Sequence, residues 1–173
     1  MKVNDILSAV AQDYVRGNKY KVILTPPKAL AKYDNDIMQV INKNCNSVNF
    51  PGTDILTFDW ASKSAPIVLP YQRSYNPIVM NFYMDGNGYV RQFFEDWIDV
   101  IWNPETYNMN YLSEYSTEMK LQLLDQQNTA VRTWHMTSIW PMKIDDLPMA
   151  YSDGEVAKMT VTMTYNIYEM NGK

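Results

Sequence analysis

From Lys158 to Ile167 the chain alternates without interruption, placing Met159, Val161, Met163, Tyr165 and Ile167 on one side and Lys158, Thr160, Thr162, Thr164 and Asn166 on the other. Successive side chains of a β-strand point to opposite faces, so such a segment requires a sheet with one dry face and one wet face. A protein built around it must be a layered or curled antiparallel β structure whose core covers only one side of the sheet.

Other segments repeat the pattern. Tyr20, Val22 and Leu24 alternate with Lys19, Lys21 and Ile23 before Pro26-Pro27 ends a first strand. Strand-like text runs with breaks from Cys45 to Asn76, through Ser47–Phe50, Ile55–Trp60 and Ile67–Tyr71, and residues 61–66 read as an exposed hairpin tip. Ile78, Met80, Phe82 and Met84 alternate up to the dense turn signal Asp85-Gly86-Asn87-Gly88. Met119, Leu121 and Leu123 alternate with Glu118, Lys120 and Gln122; residues 125–128 turn, and a return strand runs from Thr129 to Ile139, where Trp140-Pro141 is expected to end it.

Two helices interrupt the strands. Val90, Phe93, Phe94, Trp97, Ile98 and Ile101 recur at the spacing of one helix face, over about residues 89–102, until Asn103-Pro104 stops them. Arg91, Gln92, Glu95, Asp96 and Asp99 occupy the opposite side, so this helix is expected to lie on the sheet with one face wet. A short N-terminal helix is expected from the spacing of Val3, Ile6, Leu7, Val10 and Tyr14, with Gly17 as its stop. Residues 28–43 are ambiguous between turn and helix, and the role of residues 30–43 stays open. The sum is a mainly β (α+β) chain over residues 1–173, one domain: an antiparallel β-sandwich or barrel with one flanking amphipathic helix.

Little in the sequence points to catalysis. His135 is the sole histidine and sits within a strand, so a histidine metal cluster is excluded, and a Ser-His-Asp triad would rest on that one residue. Glu95 and Asp99 share a helix face at i, i+4, which reads as a solvated stripe rather than an acid/base pair. Asp34-Asn35-Asp36 and Asp85-Gly86-Asn87 open like calcium loops, yet Gln39 and Val90 stand where the required glycine belongs. Gly86-Asn87-Gly88 lacks the continuation of a phosphate loop. No catalytic, cofactor-binding or metal residue is expected, and Cys45, the single cysteine, reads as a buried small hydrophobe.

Composition points toward contact surfaces. Thirteen tyrosines, five tryptophans and twelve methionines are residues enriched at protein interfaces, whereas fifteen basic residues against nineteen acidic ones are scattered and unlike the patch of a dedicated DNA reader. The start of the chain lacks a charged segment followed by an apolar one, and no apolar run reaches the roughly twenty residues of a membrane span; neither secretion nor a membrane is expected.

The segments Asn18-Lys19-Tyr20-Lys21-Val22, Cys45-Asn46-Ser47-Val48-Asn49-Phe50-Pro51-Gly52, Pro70-Tyr71, Gln92-Phe93-Phe94-Glu95-Asp96-Trp97, Ile101-Trp102-Asn103-Pro104, Tyr107-Asn108-Met109-Asn110-Tyr111, Leu123-Leu124-Asp125 and Trp140-Pro141 follow one another in a telling order. In that order they resemble the tail tube family of contractile-tailed bacteriophages. It implies a non-enzymatic subunit of hexameric rings that stack inside a contractile sheath, each subunit lending strands to a continuous inner barrel around a DNA channel. The implied partners are further copies of itself, the tail sheath protein, and baseplate and tail terminator proteins, with DNA only in non-specific passage. The implied location is the virion tail, assembled in the host cytoplasm. A baseplate tube-initiator, or the tube of a phage-derived contractile injection system, would share these signals. From other classes, a small β-barrel flavin-dependent enzyme and a monomeric ligand-binding barrel are the competitors.

On this resemblance the polar side chains of two strands are expected to line the lumen: Glu118, Lys120 and Gln122, with Lys158, Thr160, Thr162, Thr164 and Asn166. Their apolar alternates would meet the helix of Phe93, Phe94 and Trp97. The tip Trp60, Ala61, Ser62, Lys63 and Ser64 is expected to contact the neighbouring ring, because a Trp flanked by small polar residues has no purpose on a lone monomer.

Overall fold

The structure, a computed structural model, describes residues 15–61, 65–147, 149 and 154–172. The expected N-terminal helix lies outside them. In chain order the elements are β1 (Tyr20–Leu24), a 3-10 turn (Lys28–Leu30), α1 (Asn35–Lys43), β2 (Cys45–Val48), β3 (Thr53–Trp60), β4 (Ile67–Tyr75), β5 (Ile78–Tyr83), α2 (Tyr89–Ile101), α3 (Leu112–Tyr115), β6 (Thr117–Leu124), β7 (Ala130–Ile144), β8 (Lys158–Thr164) and β9 (Ile167–Gly172).

Seven strands form one antiparallel sheet in the order β1-β6-β7-β8-β5-β2, with β9 on the first part of β7; β3 and β4 form a separate ribbon. The fifteen residues of β7 organise the sheet. Its first part pairs with β6 and β9, and its last part pairs with β8. Between the two parts Ser138 takes φ +54°, a conformation costly for a residue with a Cβ. This divides the sheet into a first half (β1-β6-β7-β9) and a second half (β7-β8-β5-β2). The outer strands β1 and β2 face each other again, where Tyr20 Oη donates to the carbonyls of Cys45 and Asn46 at 3.2 and 2.5 Å. The fold is thus a curled antiparallel sheet that stops short of a closed barrel.

Two sequence expectations change at this corner. Trp140-Pro141 does not end β7; Pro141 lies inside the strand, opposite Met163, at a register shift before Lys143. A bulge tolerates a residue without an N–H donor. The alternation of the last strand also stops early. Met159, Val161 and Met163 are fully buried and Tyr165 nearly so, but Asn166 lies between strands and Ile167 begins β9 with 54% of its surface exposed.

Helix α2 lies in the core as its periodicity requires. Val90, Phe93, Phe94 and Trp97 are fully buried, while Ile98 and Ile101 are half-buried. Phe94 packs on Phe82 of β5 with ring centroids 5.1 Å apart, and the Trp97 indole N–H donates to the Tyr115 carbonyl at 2.7 Å. The helix starts cleanly because Asp85 accepts from the N–H groups of Tyr89 and Val90 at 3.0 and 3.1 Å, with Gly88 at φ +73° supplying the left-handed entry.

The ambiguous segment belongs to the core. Asp34 caps α1 by accepting from Ile37 N–H at 3.0 Å, and Leu30, Tyr33, Met38 and Ile41 are buried. From the far side of α1, Asn42 accepts from Leu24 N–H and donates to Leu24 C=O at 3.0 and 3.3 Å, so one side-chain amide occupies the last outward pair of β1.

Candidate assembly surfaces

Strand registers place the polar side chains in ordered rows. On the outward face of the first half-sheet, Ile23, Lys120, His135 and Glu169 stand side by side across β1, β6, β7 and β9; Lys21, Gln122, Thr133 and Asn171 form the next row. Glu118 reaches His135 at 3.0 Å. This face has two lysines, two carboxylates and neutral amides and hydroxyls, so opposite charges are interleaved rather than grouped. Its reverse carries Val22, Met119, Leu121 and Met136, all buried.

The second half-sheet has a polar row of a different kind. Thr160 donates to Asn81 Oδ1 at 2.6 Å, and Asn81 Nδ2 donates to Ser47 Oγ at 2.8 Å, so β8, β5 and β2 are linked by side chains as well as backbone. Thr160, Thr162 and Thr164 are half-buried and Lys158 is exposed. The structure therefore brings Glu118, Lys120 and Gln122 together on one half-sheet and Lys158, Thr160, Thr162 and Thr164 on the other. Asn166 stands at the corner between them, its N–H donating to Thr137 C=O at 3.3 Å.

Between β1 and β2 lies an open groove of about 1260 Å³ with Lys19, Tyr20, Lys21 and Val22 on one wall and Asn42, Cys45, Asn46 and Val48 on the other. Cys45, expected to be buried, is half-buried at the groove, and that burial still pushes its thiol up to about 12.

The β3-β4 ribbon is the largest departure from a self-contained subunit. Phe58 pairs with Leu69 and Trp60 with Ile67, so the outer half has one face that is entirely apolar. Trp60 and Ile67 keep 56% and 58% of their surface exposed. A two-stranded ribbon is at best marginally stable alone in water. Among the described residues its base is what is anchored: Arg73 lies over the Tyr168 ring of β9, and the Thr53 and Tyr168 hydroxyls are 2.9 Å apart. Trp60 and Ala61 of the expected tip are exposed; Ser62, Lys63 and Ser64 lie outside the described residues. The length of the ribbon and its apolar face were not anticipated, although the pairing of Phe58 and Trp60 with Ile67 and Leu69 was present as period-two text.

The candidates for chemistry resolve as structural contacts. His135 is bonded to Glu118, and Glu95 pairs with Arg91 on the preceding turn at 2.6 Å. Asp96 receives hydrogen bonds from Lys32 and Tyr33 at 2.6 and 2.5 Å, tying α2 to the segment before α1. Among the described residues no group of three or more His, Cys, Asp or Glu is placed to hold a metal ion, and no helix is long and apolar enough to cross a membrane.

Comparison with solved structures places this architecture. The chain superposes on the extended sheath-tube complex of an extracellular contractile injection system, PVC, with a TM-score of 0.65 at 13% identity, covering 100% of this chain and 99% of the other. A chain from the PVC sheath/tube terminator in the extended state gives 0.66 at 13% identity, covering 92% and 97%. A chain from the tube-terminating cap of the anti-feeding prophage gives 0.67 at 12% identity, covering 94% and 93%. At these identities the likeness is one of fold. No curated protein sequence matches. The family described as phage tail tube protein matches residues 15–171, which takes in every strand and helix above except the last residue of β9. A curled sheet, a projecting apolar ribbon and, among the described residues, no group placed to hold a metal ion are compatible with a structural tube subunit, and the chain belongs to the phage tail tube protein family.

Proposed function

We propose that this protein is the repeating subunit of a tail tube, closing into rings, six-membered as the family resemblance implies, that stack within a contractile sheath around a channel for DNA. The observation that carries this reading is the first half-sheet: a polar outward face backed by a full core, ending in strands β1 and β9 that each have, among the described residues, one edge without a strand partner. Exposed edges invite pairing with another chain, and ring closure removes them. The interleaved charges of Lys21, Lys120, Glu118 and Glu169 suit a wall that duplex DNA slides past, because several net phosphate contacts per subunit, multiplied round a ring, would hold the duplex in place.

On this reading Glu118, Lys120 and Gln122 line the lumen. A single pore is bordered by one arc of the curled sheet, so Thr160, Thr162 and Thr164 of the second half-sheet face away from it. The ribbon, with Trp60 at its end, bridges to the next ring, and the acidic face of α2 is left outside, toward the sheath.

Electron microscopy of the purified protein tests assembly: rings and tubes are expected, and a monomer at every concentration would refute the reading. In assembled tubes, a bulky maleimide should spare Lys120→Cys and label Thr162→Cys, while a small reagent labels both. Bulky labelling at Lys120→Cys would move the pore elsewhere.

A second reading, the tube of a contractile injection system, is favoured by the fold likeness to the PVC and anti-feeding prophage chains. It uses the same surfaces, and the content of native particles separates the two.

A further inference from the structure

The direction of backbone hydrogen bonds determines which groups at the open edges are available. Leu124 N–H donates to Lys19 C=O and Thr25 N–H to Glu118 C=O, at 2.9 and 3.3 Å. With the register Tyr20↔Leu123, the odd-numbered residues of β1 therefore bond to β6, and the even-numbered ones turn their N–H and C=O outward. Leu24 is occupied by Asn42, which leaves Tyr20 and Val22 facing the groove.

The same alternation can be followed across the half-sheet. Even-numbered residues of β6 bond to β1, so Met119, Leu121 and Leu123 bond to β7, at Met136, Trp134 and Arg132. The odd-numbered residues of β7 then bond to β9; the Thr137 carbonyl, which accepts from Asn166 N–H, points that way. On β9 the residues left facing outward are Tyr168, Met170 and Gly172.

These two edges are compatible in three independent respects. Strand directions alternate from β1 through β6 and β7 to β9, so the β9 of an identically oriented copy meets β1 antiparallel. On both strands the outward-pointing residues are the even-numbered ones, whose side chains lie on the core side. Pairing even with even therefore keeps Lys21 and Ile23 on the same face as Glu169 and Asn171 of the neighbour. Pairing also stops at the same place on both partners, since Leu24 is plugged by Asn42 and Tyr168 is tied to the ribbon base through Thr53 and Arg73.

We propose that β9 of one copy enters the groove of the next and pairs antiparallel with its β1, Val22 opposite Met170 and Tyr20 opposite Gly172. This rests on the ring reading and names the strands that close the ring. The groove beside β1 is where the incoming strand lies, and the mixed-charge face then runs unbroken from one subunit to the next.

Disulfide trapping tests the register. In a Cys45→Ser background, Ile23→Cys and Glu169→Cys fall opposite each other at a pair not hydrogen-bonded to its partner, where Cβ atoms approach closely enough to be bridged. Oxidation of assembled protein carrying both substitutions should give a ladder of covalent multimers, and a mixture of the two single variants should give dimers. The pair Ile23→Cys and Met170→Cys, out of parity, should not cross-link. Assembled particles without cross-links, or cross-linking of the control pair as efficiently, would each overturn the proposal. A protein that never assembles sinks the ring reading and this pairing with it.

Met170→Pro provides a backbone test, because the N–H it removes points outward, the Arg132 bond to the Met170 sulfur that goes with it is exposed, and proline is tolerated on an edge strand. The monomer should keep its circular dichroism and melting temperature, while the concentration needed for assembly rises by about tenfold or more. Unchanged assembly, or loss of the monomer fold, would show that this N–H is not the free donor described.

Discussion

Replacing Ile67 with serine separates what the ribbon does for the monomer from what it does for the assembly. Ile67 sits opposite Trp60 on the apolar face of the ribbon, and 58% of its surface is exposed in the single subunit. Burying a whole isoleucine side chain against a partner is worth about 1.5–3 kcal/mol, so covering the exposed fraction contributes about 1–2 kcal/mol at each contact. Every 1.4 kcal/mol is a factor of ten in an association constant, so Ile67→Ser should raise the critical concentration for tube elongation by about 5- to 30-fold. The urea midpoint of the monomer should hardly change, because the lost side chain is already largely in water. Val68, on the reverse face opposite Asp59, is as exposed, so Val68→Ser serves as a matched control with a smaller expected effect. Critical concentrations follow from sedimentation of assembled tubes over a dilution series. Equal effects at the two positions, or an Ile67→Ser protein that elongates normally, would refute the assignment of the Trp60–Ile67 face to the stacking contact.

Other outcomes follow from the core and its caps. Trp97→Phe removes a buried indole N–H and orphans the Tyr115 carbonyl, and should cost about 2–4 kcal/mol in urea unfolding, of which about 1–3 is the unpaired acceptor and the rest lost volume. Asp85→Ala deletes both hydrogen bonds at the start of α2 and should cost about 1–2 kcal/mol, whereas Asp85→Asn should retain most of the stability. Burial alone would raise the Asp96 carboxyl, but hydrogen bonds from Lys32 and Tyr33 outweigh it and hold the group below the usual carboxylate range. A depressed carboxyl stabilises the fold above its unfolded value and loses that contribution as pH falls through the folded one. Asp96→Asn should therefore melt lower than wild type at neutral pH and converge with it in acid; a gap that persists in acid would argue against the ion pair.

The sequence announces those elements whose faces are exposed to unlike surroundings. Met159, Val161 and Met163 against Thr160, Thr162 and Thr164, or Phe93, Phe94 and Trp97 against Gln92, Glu95 and Asp99, record burial residue by residue, and the structure keeps both patterns. What period and composition do not encode is where a strand changes partner. Pro141 reads as a terminator until a bulge removes the need for its donor, and Ile167 reads as core until the corner at Tyr165 and Asn166 starts a new strand. Local alternation likewise tells inside from outside but carries no information about how far a sheet curls. Residues 35–43 stayed ambiguous because Asp34, Asn35 and Asp36 favour turns and caps alike, and only the bond from Ile37 N–H to Asp34 settles which.

The bend at Ser138 has a mechanical side. One continuous chain, β7, serves as backbone to both halves of the sheet, so neither half tilts without dragging the other about that corner. A displacement imposed on one half is therefore carried along a covalent strand to the other, and the shared core and the Tyr20 bonds to the β2 carbonyls join the two halves again on the far side.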